Sequence, residues 1–115
     1  MNKWVIKKLI ILSTWLVTLG FAQEKPPEGI LPKEQMAEIL IDLQIAAVRA
    51  NNYSNNEDSA RMFLKKATFS IYKKHGIEEE AFQKSYRYYL EHPSEMEDIY
   101  KSVIDGLSLK ERLAK

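Results

Sequence analysis

The chain has no cysteine, so it has no disulfide staple, no thiol nucleophile and no thiolate metal site. Glycine is scarce, at positions 20, 29, 76 and 106 only, and builds no phosphate-cradling loop. No stretch alternates apolar and polar residues with period two, so no strand is expected. Histidine occurs twice, as His75 and His92, without the His-Glu-x-x-His spacing of a zinc hydrolase. Neither charge sign dominates, with 17 basic and 16 acidic side chains, which argues against a nucleic-acid binder because that class needs a basic face.

What the chain does have is a leader. Lys3, Lys7 and Lys8 precede an apolar run from Leu9 to Ala22 that carries no charge. That run is 14 residues long, too short to cross about 30 Å of hydrocarbon at about 1.5 Å per residue. Gly20 and Ala22 supply small residues at −3 and −1 for cleavage after Ala22. Residues 1–22 therefore read as a signal peptide whose basic head stays on the cytoplasmic side. Cleavage leaves 93 of the 115 residues, enough for one domain, in the periplasm or secreted. The alternative is an inner-membrane protein held by an uncleaved signal anchor. The leader takes three of the basic residues and none of the acids, so the remainder has a formal charge of −2.

Residues 23–31 form a linker stiffened by Pro26 and Pro27, and residues 32–115 form the domain. A first helix is expected from Pro32 to Ala50, with Met36, Ile39, Leu40, Leu43, Ala46, Ala47 and Ala50 in one stripe and Ile41 and Ile45 beside it. Asn51 and Asn52 end that pattern. Ser54 with Glu57 matches a capping box for a second helix, whose inner face is Ala60, Phe63, Leu64, Ala67, Ile71, with Phe69 and Tyr72 at its margins. Lys73, Lys74 and His75 suit its negative end, and Gly76 is the expected left-handed stop. A third helix runs from Glu78 to Glu91 with a face of Phe82, Tyr86, Tyr89 and Leu90, and ends before Pro93. A fourth starts near Ser94, capped with Glu97, and presents Met96, Ile99, Tyr100, Val103, Ile104 and Leu107. Gly106 weakens its end, with Ser108 to Lys115 as a frayed continuation. The fold class is all-α, a small antiparallel bundle of about four helices behind a cleavable signal and a Pro-rich linker.

Several segments together resemble a bacterial envelope family known as DUF4296, a domain of unknown function. They are Pro27-Glu-Gly-Ile-Leu31, Met36 through Asp42, Tyr72-Lys-Lys-His75-Gly-Ile77, Phe82, Ser85, Tyr88-Tyr89, His92-Pro93 and Ile99-Tyr100, covering residues 27–107. The resemblance implies a small helical envelope protein of Bacteroidota type, often a lipoprotein, with no assigned activity. Here the leader ends Gly20-Phe21-Ala22-Gln23, so the cysteine that would carry a lipid anchor is missing.

No catalytic constellation, metal site or cofactor is expected. His75 and His92 sit at helix ends, as dipole partner and turn residue. Glu78, Glu79 and Glu80 point about 100° apart on a helix and cannot converge on one cation unaided. Ser85 has no base nearby and packs between helices. Arg87 and Tyr88 face away from Tyr86 and Tyr89 and make a candidate partner interface; the other reading is tyrosines that pack with their hydroxyls at the surface. The expectation is a non-enzymatic envelope adaptor that binds a protein partner of unknown identity, without nucleic acid and without a membrane span after cleavage. The alternative is a binder of a small apolar or lipidic ligand, with Met36, Met62 and Met96 lining an adaptable cavity. Self-association through Ile41 and Ile45 is a further option. Intact mass of the exported protein should show an N-terminus at Gln23; a species retaining Met1 in the envelope would overturn cleavage.

Overall fold

The computed structural model describes residues 25–53 and 55–114. The expected signal peptide, the first residues of the linker and the Ser54 cap lie outside them. The described residues hold four helices and no strand: α1 (Lys33–Tyr53), α2 (Glu57–Lys74), α3 (Glu79–Leu90) and α4 (Pro93–Leu113). The protein is all-α.

The helix ends follow local chemistry. The Met36 N–H donates to the Pro32 carbonyl at 3.0 Å, so α1 begins where proline gives up no bond. It continues through Asn51 and Asn52 to Tyr53, beyond the expected stop at Ala50. Ala50 is buried, which holds that turn down, and a weak propensity does not outweigh packing. Asn56 caps α2 by accepting the Asp58 N–H at 2.9 Å. At the other end Gly76 adopts φ +66°, and the Ile77 and Gly76 N–H groups bond the Tyr72 and Lys73 carbonyls, a Schellman stop. α4 starts at Pro93, one residue before Ser94, and His92 is its N-cap without a side-chain cap bond. Gly106 does not end α4. A Cβ there would overlap Ile41 Cδ1, so the glycine allows α1 and α4 to approach closely. That contact buries Ile41, which removes it from any self-association surface.

α1 is the central element. α2 runs antiparallel to it, since Gln35 donates to the His75 carbonyl and Asp42 meets Lys74. α4 runs parallel to it, since Lys33 meets Asp98 and Asp42 meets Lys110. The short α3 makes this possible by crossing the N-terminal end of α1 and turning back into α4. α2 and α4 both pack on α1 but make no extended contact with each other.

The core is Met36, Ile39, Ile41, Phe82, Tyr89, Met96, Ile99 and Val103, with Ile30 and Leu31 of the linker packed against it. Leu31 is clamped: its N–H donates to Ser85 Oγ at 2.8 Å and its carbonyl accepts from the Tyr89 hydroxyl at 2.6 Å. Ser85 Oγ donates in turn to the Ala81 carbonyl at 2.7 Å. Ser85 thus satisfies two partners while fully buried. Several residues expected inside are exposed, namely Phe63, Phe69, Leu90, Tyr100 and Ile104. α2 has no buried residue at all, because α1 is the only helix that packs along it and α3 reaches only its end, through Tyr72 on Phe82. Replacing Ser85 by Ala should strand the Leu31 N–H and cost about 1–3 kcal/mol in chemical unfolding. An unchanged unfolding midpoint would show that the clamp adds nothing.

Candidate binding groove

A groove of about 400 Å³ lies along α1 and α2. Its floor is apolar, built from Ile45, Ala46, Ala67 and Ile71, with Phe63 and Ser70 on the α2 side. This follows from helical spacing: Asp42, Ile45, Ala46 and Arg49 recur at three- and four-residue steps on one side of α1, and Phe63, Ala67, Ser70, Ile71 and Lys74 do so on α2. Lys110 reaches in from α4. The groove stays open because α2 and α4 do not close over it.

Asp42 organises one end. His75 Nε2 donates to its Oδ2 at 2.8 Å, Lys74 Nζ donates to the same oxygen at 3.2 Å, and Lys110 Nζ comes within 3.8 Å of Oδ1. The Asp42 and His75 side chains are only 15% and 11% exposed, whereas Lys74 and Lys110 reach into solvent. Burial alone would push the Asp42 carboxyl up. The hydrogen bonds from His75 and Lys74, with the charges of Lys74 and Lys110, instead hold it below its ordinary 3.8. Arg49 lies seven residues along α1, about 10.5 Å at about 1.5 Å per residue, and forms no ion pair among the described residues.

Ser70 lines the groove, and no hydrogen bond among the described residues joins it to the His75–Asp42 pair. Among the described residues no three acidic or histidine side chains gather to hold a metal ion. No described helix is long and apolar enough to cross a membrane.

The residues singled out from sequence are dispersed. Arg87 is exposed and lines a shallow hollow with Glu80, Gln83 and Lys84 on α3. Tyr88 is half-buried, stacks on His92 at 4.0 Å and meets Tyr89 edge-on at 5.2 Å. His92 Nδ1 donates to the Tyr88 carbonyl at 2.7 Å and so caps the end of α3. His75 is more than a dipole partner, since it also bonds Asp42 across the helix pair. Met36 and Met96 fill the core, Met62 is exposed, and none of the three lines the groove. Sequence reasoning missed Asp42 and Arg49 as site residues. The available signal was a lone carboxylate in the apolar stretch from Ile39 to Val48.

The folded Asp42 carboxyl titrates below the unfolded one, so its stabilising contribution is complete above pH 3.8 and is lost as the pH falls through the lower folded value. Asp42→Asn should therefore lose about 1–3 kcal/mol near neutral pH. The gap to the wild type in urea unfolding should close in acid. A gap that persists below the folded value would assign the loss to packing instead.

No curated protein and no solved structure matches the chain. A family model does match, over residues 27–112. That span covers α1 to α3, α4 up to its last residue, and every residue of the groove. The chain belongs to the family described as Domain of unknown function (DUF4296).

Proposed function

We propose that this protein is a non-enzymatic protein-binding domain of the cell envelope, acting as an adaptor or accessory subunit. The observation that carries the reading is the outer side of α2. Met62 and Phe69 are 63% and 70% exposed there, two turns apart on a helix with no buried residue. Two large apolar side chains on one face of one helix offer a partner apolar surface to cover. Further support is that the largely covered His75 imidazole is committed to Asp42, and that no hydrogen bond among the described residues joins a groove nucleophile to a base. The export leader read from the sequence gives the envelope location.

A second reading is a small apolar or lipidic ligand in the groove. Its apolar floor favours that reading, and its volume of about 400 Å³ falls at the low end for ligand sites. The groove is open along its length, however, and would leave much of such a ligand in water. A partner of larger curvature radius fits it better.

Met62 and Phe69 make little packing, so Met62→Ala with Phe69→Ala should move the thermal midpoint by no more than about 4–8 °C, because two surface changes of up to about 0.5 kcal/mol each sum to about 1 kcal/mol. The same double variant should lose most of a near-stoichiometric protein captured with full-length wild type from crosslinked envelopes. Capture of lipid alone by a folded protein would support the second reading. Arg87→Glu tests the α3 surface separately and leaves the Tyr88–His92 stack intact.

A further inference from the structure

The polar groups of the groove form a pattern. At one end two ammonium groups, Lys74 and Lys110, share a single carboxylate that His75 already satisfies. At the other end Arg49 has no ion-pair partner among the described residues. The groove thus carries two positive charges in excess, separated by apolar Ile45 and Ala67. The imbalance continues along α2, where no acidic residue occurs between Asp58 and Glu78 while Arg61, Lys65, Lys66, Lys73 and Lys74 do. The signal-free chain as a whole is mildly acidic, so the positive field is local to this wall of the molecule.

The geometry restricts what can answer that charge. The cations flank a concave trough, so a flat bilayer surface would meet the exposed lysines of α2 and leave the floor empty. A convex rod fills it. An α-helix is such a rod, about 10–12 Å across with side chains. Its residues i and i+7 stand about 10.5 Å apart on one side, the same two-turn interval that separates Asp42 from Arg49 on α1.

We propose that the groove between α1 and α2 seats an acidic amphipathic helix of a partner protein. Two carboxylates seven residues apart meet Arg49 at one end and the Lys74–Lys110 pair at the other. Apolar side chains at i+3 and i+4 lie between them against Ile45 and Ala67. This rests on the protein-binding reading and adds to the outer face of α2 a second contact, the groove, with the chemistry of the partner segment that fills it. Positive charge at both ends rejects basic helices as well as selecting acidic ones.

The test is selection of displayed 15-residue helical peptides, built on an alanine scaffold with eight varied positions, against the immobilised full-length protein. Enrichment of Asp or Glu at i and i+7, with apolar residues at i+3 and i+4, is the expected result. The selected peptide should bind at least about tenfold more weakly to Arg49→Glu, and should weaken similarly when salt shortens the screening length to about 3 Å. A peptide with Arg in place of the acid facing position 49 should recover binding to Arg49→Glu. Arg49 makes no ion pair, so that variant keeps the fold; Lys110→Glu probes the other end, and circular dichroism checks both. Failure to enrich any peptide, enrichment without the acid pair, or binding indifferent to Arg49→Glu and Lys110→Glu would overturn the proposal. So would binding of phosphatidylglycerol vesicles that the same two substitutions abolish, since a lipid surface would then be the occupant. Envelope capture that survives both substitutions would sink this site and leave the protein-binding reading standing.

Discussion

The peptide group of Leu31 has to be satisfied away from water, and that requirement organises the bundle. Its N–H finds Ser85 Oγ and its carbonyl finds the Tyr89 hydroxyl. Both partners come from α3, and both are fully buried. The clamp fixes the entry to α1 against α3 and draws Ile30 and Leu31 into the core. Burial pushes the Tyr89 phenol up, helped by the nearby Glu95 and Tyr88, so the hydroxyl keeps its proton and remains a donor.

The rest of the architecture follows from that placement. With α3 held across the N-terminal end of α1, the chain turns back at His92 and Pro93 and lays α4 parallel to α1. Short connections set α1 antiparallel to α2 and α3 antiparallel to α4, while the first and last helices share a direction. Gly106 permits the close pass over Ile41. α2 is packed along its length by α1 alone, so its outer apolar residues stay in solvent and its inner edge bounds an open trough.

Electrostatics then divide the surface. The acids gather on α4 and around the start of α3, and the cations gather on α2. Where the two populations meet, Asp42 ties α2 to α1 through His75 and Lys74 and draws in Lys110. The tie is buried enough to matter for stability and leaves the lysine heads exposed enough to act on a partner. One carboxylate thereby serves the fold and marks one end of the groove.

Helix number, helix type and the main core positions were legible in the chain because three- and four-residue spacing reports directly on one face of a helix. Gly76 and Pro93 marked their boundaries for the same local reason: backbone angles are decided residue by residue. The family likeness was readable too, from the order of short motifs. Which apolar residues end up covered was not legible, since Phe69 and Ile104 have the same pattern as buried neighbours and differ only in whether another helix lies over them. At Tyr88 the spacing gave the helix but not the contact: its ring stacks on His92, four residues on at the end of α3. Asp42, His75 and Lys110 are separated by 33 and 35 residues and meet only because α1 is central. Local sequence determined the helices and their ends; long-range packing decided the groove, because a groove is the space that packing leaves open.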